Sequence, residues 1–323
     1  MSTWKTYRHR LEYAACSLLA WGMPKLSRRR CAQLAKFMGT LAYVLDRRGR
    51  AVASDNLRVA LGERPDARSI ICESYRQFVR TMFDLFWSPA LTRENVEQYI
   101  RHEGLEVFAD LQAQKRGVIV MCVHNGGFEW ASLGAGFYGL NGMIVTEDFK
   151  NPALSDIFKR LREVSGHQII GQENSILRLL KQVKRGKSSG VLIDLNLRPD
   201  QPAVVIDSFG LKMCVTFLHA VLAERGNAAL LPLESELLPD GTCRVRFHPP
   251  LEPAPGATPQ EVAQMCWDFY EPTIRAHPER WLWAYKHWRY KPKGTPREYP
   301  FYANESSKFE KLLKQMALMK AGQ

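Results

Sequence analysis

The sequence predicts an α/β protein: a layered mixed sheet flanked by helices, preceded by a helical segment suited to docking on a membrane surface. Two observations give the sheet. Short apolar runs at 118–123, 191–193 and 228–233 have the length of buried strands, and stretches with helical periodicity alternate with them. A third observation sets residues 1–55 apart. Two apolar stretches there are bracketed by arginines, a pattern that lies in an anionic membrane surface rather than across it. The same pattern also fits a pair of core helices with solvated basic ends.

Residues 11–23 are apolar but interrupted by Glu12, and they fall short of the roughly 20 apolar residues that span a bilayer. The basic residues before them also suit a secretory signal. Against export stand the cysteines (Cys16, Cys31, Cys72, Cys122, Cys214, Cys243 and Cys266), scattered without CxxC or zinc-like spacing, as for thiols in a reducing compartment. The second apolar stretch, 32–45, lies between Arg28, Arg29 and Arg30 and the basic run Arg47, Arg48 and Arg50.

Pro65 and Asp66 open a helix carrying Ile71, Tyr75, Phe78, Met82 and Phe86 at helical spacing. Leu105, Phe108 and Leu111 mark another, closed by Gly117. The strand 118–123 follows and ends in His124, Gly126, Gly127 and Glu129, before an apolar stretch, 130–140, long enough for a helix. Residues 142–145 form a strand. Pro152 starts a helix with Leu154, Ile157, Phe158 and Leu161 on one face, stopped by Gly166. After an extended segment, 168–170, Asn174 caps a helix with Ile176, Leu179, Leu180 and Val183 that stops at Gly186. The strand 191–193 delivers Asp194. A helix at 216–225, strands at 228–233 and 243–248, and a helix at 261–276 complete the layers. In the tail, Ser307 and Glu310 have capping-box spacing, and Phe309, Leu312, Leu313 and Met316 form a stripe able to dock on the core or on a membrane. No repeat or linker divides the chain after residue 55, so one domain, 56–300, stands between the segment 1–55 and a C-terminal amphipathic helix, 301–323.

An apolar share of 46 % with 24 % charged residues excludes a disordered chain, and the formal net charge of +12 calls for an anionic partner. An anionic membrane, an acidic carrier protein and nucleic acid all qualify; the basic residues are dispersed and no nucleic-acid module is visible. In open α/β sheets ligands bind at the carboxyl ends of strands. His124 stands there with Glu129 in H-x4-E spacing, as for a histidine base oriented by an acid. The two glycines of the turn would let backbone N–H groups face a developing oxyanion. No second His or Cys follows at metal-ligand spacing. Gly134, Gly136 and Gly139 match GxGxxG but fall within or after the helix, where close packing accounts for them better than a nucleotide does. Cys122 shares a strand face with His124, yet same-face neighbours sit roughly 6.5–7 Å apart, too far for a nucleophile and its base.

The block 123–133 (VHNGGFEWASL) resembles the H-x4-D/E block of the lysophospholipid acyltransferase superfamily. Nearly the whole chain is similar, in order, to the bacterial lipid A late (lauroyl/myristoyl) acyltransferases. The likeness runs through Asp55, Asn56 and Leu57, Gly104 to Glu106, Lys115 to Ile119, Asn151 and Pro152, Arg162, Lys184 to Gly186, Asp194, Phe209 and Gly210, Thr216, and the closing Pro278 to Trp283. The chain departs from the family pattern at Glu147, at Leu195 and Asn196, and between Ala284 and Arg289, changes that bear on the acceptor lipid.

The resemblance implies that His124 is the catalytic base and Glu129 its catalytic partner, and that Arg162 and Asp194 bind substrate. It implies an enzyme without metal or cofactor, an O-acyltransferase. The donor would be an acyl thioester on acyl-carrier protein or acyl-CoA, and the acceptor an anionic lipid, lipid A precursor-like. A glycerophospholipid or aminolipid acceptor, or a non-catalytic lipid-binding role, is the alternative. The location implied is the cytoplasmic face of the inner membrane, peripheral or monotopic, with a membrane surface and no nucleic acid as partner.

Overall fold

The computed structural model describes residues 3–321 apart from 148 and 174. Its strands are β1 (Ile100–Glu103), β2 (Val118–Cys122), β3 (Gly142–Val145), β4 (Gln168–Ile170), β5 (Ser188–Leu192), β6 (Ala203–Ser208), β7 (Leu211–Thr216), β8 (Ala229–Leu237), β9 (Cys243–Phe247), β10 (Tyr290–Lys291) and β11 (Asn304–Glu305). The helices are α1 (Thr3–Gly22), α2 (Arg28–Leu45), α3 (Arg47–Leu61), α4 (Ala67–Trp87), α5 (Val96–Tyr99), α6 (Leu105–Ala113), α7 (Phe128–Phe137), α8 (Pro152–Glu163), α9 (Ser175–Val183), α10 (Leu218–Gly226), α11 (Pro259–Ala276) and α12 (Ser307–Ala321).

The main sheet has the order β1-β9-β8-β2-β5-β3-β4, parallel throughout except for the antiparallel β8–β9 pair. It is the mixed sheet the sequence predicts. Alternation along the central strand builds the two layers: Val118 and Val120 face a core shared with α2, α4, α7 and α8, while Ile119, Met121 and Val123 face one shared with α3, α9, α10 and α11. Strands packed on both sides need apolar side chains on both faces, which is why β2 reads as an unbroken apolar run.

Several local expectations change. Arg28 is buried instead of facing a membrane: its guanidinium pairs with Asp84 and lies 4.2 Å from the Trp130 ring centroid. The tail docks on the core through buried Phe309 and Met316. Its capping box does not form, because Glu310 accepts the Lys293 N–H at 2.6 Å; a capping box stands instead at Thr258 and Glu261 on α11. Gly134 and Gly136 lie inside α7, where a Cβ would come within 2.6 Å of His102 and 2.5 Å of Ser165. Close packing, not a nucleotide, explains them. The helix placed at 216–225 begins at Leu218, since Thr216 closes the β6–β7 hairpin. The cap expected at Asn174 lies outside the described residues. No described helix is long and apolar enough to cross a membrane.

Candidate active site

The site grows from the register of two parallel strands. Cys122 on β2 pairs with Leu192 on β5, and the Ile193 N–H donates to the Cys122 carbonyl at 3.0 Å. Two residues further on, His124 and Asp194 leave adjacent strand ends side by side. The His124 ring meets Asp194 through Nδ1 at 2.8 Å, and the His124 backbone N–H donates to the other carboxylate oxygen at 2.9 Å. Trp281 Nε1–H donates to that same oxygen, also at 2.9 Å. Asp194 has no exposed surface.

A carboxylate only accepts, so the proton lies on Nδ1, and Nε2 keeps its lone pair. Among the described residues nothing takes Nε2. Burial by itself would lower the pKa of the His124 ring; the Asp194 charge, its hydrogen bond and the nearby Glu129 charge outweigh burial and raise it. Burial likewise opposes ionisation of Asp194, yet His124, His287 and the Trp281 hydrogen bond carry its pKa down to about 2. Both shifts favour an ionised carboxylate holding the imidazole.

Glu129, in the first turn of α7, is occupied elsewhere. Arg162 on α8 grips its carboxylate with Nε at 3.0 and 3.2 Å and with Nη2 at 2.5 Å. The structure thus gathers His124, Glu129, Arg162 and Asp194 in one cluster but changes the expected pairing: Asp194, not Glu129, meets the imidazole, and Glu129 instead anchors the Arg162 guanidinium. Strand register decides this, because residues at equal distance past a parallel pair stand abreast, whereas the Glu129 side chain turns with its helix toward α8. Burial pushes the Cys122 thiol well up, so it stays protonated.

The turn is clamped by residues 278–285. Gly126 N–H donates to the Arg280 carbonyl at 3.0 Å, and Leu282 N–H donates to the His124 carbonyl at 3.1 Å. Gly126 therefore has no N–H for an oxyanion. Its φ is +57°, and a Cβ there would lie 2.2 Å from the Ser235 carbonyl oxygen, so close packing in a left-handed turn is what requires glycine. Thr81 Oγ1 donates to the Gly126 carbonyl at 2.8 Å. Buried Asn56 donates from Nδ2 to the Trp283 and Tyr285 carbonyls at 2.8 and 2.7 Å, fixing the clamp from α3. Trp281 and Asn56 lie within stretches that carry the family resemblance, but nothing local to either gives it a task at His124. Among the described residues no group of three or more His, Cys, Asp or Glu side chains forms a metal-binding cluster.

A family model for bacterial lipid A biosynthesis acyltransferases matches residues 5–290. The protein is accordingly an O-acyltransferase. Within that class, the chain belongs to the bacterial lipid A biosynthesis acyltransferase family, in agreement with the resemblance seen in its sequence. It is similar to a lipid A biosynthesis lauroyltransferase from Escherichia coli (strain K12), with 22% identity over 272 residues that cover 81% of this chain and 86% of that one.

Proposed function

We propose that the protein moves a fatty acyl chain from a thioester on acyl-carrier protein to a hydroxyl of an anionic lipid A precursor, working from the cytoplasmic face of the inner membrane. The observation that carries the chemistry is the hydrogen-bonded chain Trp281–Asp194–His124, which leaves Nε2 unprotonated and unengaged. Nε2 takes the proton of the acceptor hydroxyl as its oxygen attacks the thioester carbonyl carbon. When the tetrahedral intermediate collapses, the carbon–sulfur bond breaks and the imidazolium returns the proton to the departing thiolate. Asp194 holds the tautomer and stabilises the imidazolium, and Trp281 holds Asp194. Glu129 locks Arg162 so that its Nη1, which no described residue takes, faces an anionic group of the substrate.

Membrane contact is assigned to α1 and α2, which expose Trp4 (75 %), Trp21 (66 %), Phe37 (64 %) and Leu45 (69 %) among basic residues. One observation supports a second acceptor class, an aminolipid. The positions that depart from the family pattern converge beside the site: the Tyr285 hydroxyl donates to the Asn196 carbonyl at 3.3 Å, Arg289 lies 5.6 Å from the Tyr285 ring centroid, and the Glu147 carboxylate acts on the same phenol. Mass spectrometry of lipids after incubating the purified protein with acyl-carrier thioester and each acceptor tests both. An acyl ester on the lipid A precursor supports the first acceptor. Acylation confined to the aminolipid replaces it with the second, and no acylated lipid with either overturns the reading.

A further inference from the structure

The two faces of the sheet end in different surfaces. Exposed aromatic and aliphatic side chains of α1 and α2 lie on the side of α4, α7 and α8. On the opposite side α9 packs inward through Leu179 and Val183 and turns Arg178 and Lys181 to solvent, followed by Lys184, Arg185 and Lys187 before β5. Among the described residues none of these cations is in an ion pair. Cations in a last helical turn interact favourably with the helix dipole, but this explains only those near the helix end. Five like charges within residues 178–187 repel one another, and an acidic partner would relieve that.

Position ties this surface to the chemistry. As the crossover from β4 to β5, α9 starts at the carboxyl ends of the parallel strands, the edge where His124 and Asp194 stand, and runs toward the amino ends. Ile176 and Leu177 at its start are 44 % and 70 % exposed, and Leu195, next to Asp194, is 36 % exposed. Exposed apolar residues at this edge thus pass along α9 into a cationic surface. A membrane plane that meets α1 and α2 on one face of the sheet cannot also lie on α9 on the other, so the complementary occupant is a soluble acidic protein.

We propose that the exposed face of α9 docks the acidic carrier protein that presents the acyl thioester, with Arg178, Lys181, Lys184 and Arg185 as the main contacts and Ile176 and Leu177 leading the tethered chain toward His124. This rests on the donor assigned above. Charge complementarity steers encounter and is screened by salt, so carrier binding weakens steeply as ionic strength rises.

The test is the full-length variant Lys181→Glu, Lys184→Glu, Arg185→Glu, all at exposed positions. Affinity for apo acyl-carrier protein is measured by titration at low and high salt, KM and kcat with the carrier-bound donor by product assay, and retention on phosphatidylglycerol vesicles by sedimentation. The expected result is a loss of carrier affinity of about tenfold or more with a flattened salt dependence, a matching rise in donor KM, and unchanged kcat and vesicle retention. Unchanged carrier affinity overturns the proposal. Loss of vesicle retention with unchanged carrier affinity overturns it too, and makes α9 a membrane face. Wild-type protein that ignores the carrier but turns over acyl-CoA overturns it while leaving acyl transfer intact.

Discussion

Asp194 receives three donors with no exposed surface of its own, and that geometry sets the pH behaviour of His124. The raised ring pKa means that the imidazole holds its proton above the usual histidine range, and base catalysis needs the neutral ring. Thus kcat/KM should fall as the pH drops through that raised value. Asp194→Asn removes the main charge and the charged hydrogen bond that oppose burial, so the midpoint moves to lower pH, with a loss of kcat of about a hundredfold or more. Glu129→Gln instead loosens Arg162; it should raise the acceptor KM and move the pH midpoint less than Asp194→Asn. A Glu129→Gln profile displaced further than that of Asp194→Asn would return the partner role to Glu129. Arg162→Lys cannot reproduce the two-pronged grip on Glu129 and should mainly raise KM. An unchanged KM with a large fall in kcat would show that Arg162 acts on the chemistry itself. His124, Glu129 and Asp194 are placed in the sequence by strand ends and the H-x4-E spacing, and Arg162 by the family resemblance alone. Which acid meets the histidine is not legible there, because it depends on the β2–β5 register, a contact across 70 residues of chain.

The segment 278–285 behaves as a strap over the catalytic turn, and its attachments are tertiary. Asn56→Ala would leave the buried Trp283 carbonyl and the half-buried Tyr285 carbonyl without their donor. The cost should be about 2–4 kcal/mol of stability by denaturant titration, with kcat reduced in the protein that remains folded. Gly126→Ala combines a left-handed φ with a backbone clash at Ser235 and should cost more than about 2 kcal/mol. A stable, active Gly126→Ala protein would show that the turn has another way to pack. The helices α4, α8, α9 and α11 are legible from sequence because each buries its own apolar face, and β2 because it is apolar on both. α3 hides among arginines, since its buried face is only Val52, Ala53, Asn56, Leu57, Val59 and Ala60. β1 has no apolar alternation to signal it, and the β6–β7 hairpin is turned by Phe209 and Gly210, both with positive φ, a geometry that only the second residue announces.

At the scale of the molecule, a surface rich in exposed aromatics and a cationic run at 178–187 lie on opposite faces of a single sheet. Membrane affinity cannot be tested by deleting residues 1–50, because Met23, Arg28, Cys31 and Ala35 are buried in the fold. The double substitution Trp4→Glu, Phe37→Glu changes only exposed positions. It should move the folded protein from the vesicle pellet to the supernatant, and retention in the pellet would place the contact elsewhere. The proposed reaction is acyl transfer to a lipid hydroxyl with His124 as base. Its most direct measurement supplies purified wild-type and His124→Ala protein, on vesicles, with acyl-carrier thioester and lipid A precursor, and follows the lipid by mass spectrometry. Wild type should add one acyl ester, and His124→Ala should do so at a rate lower by about a thousandfold or more. An acyl ester formed at a comparable rate by His124→Ala would contradict the base role of His124.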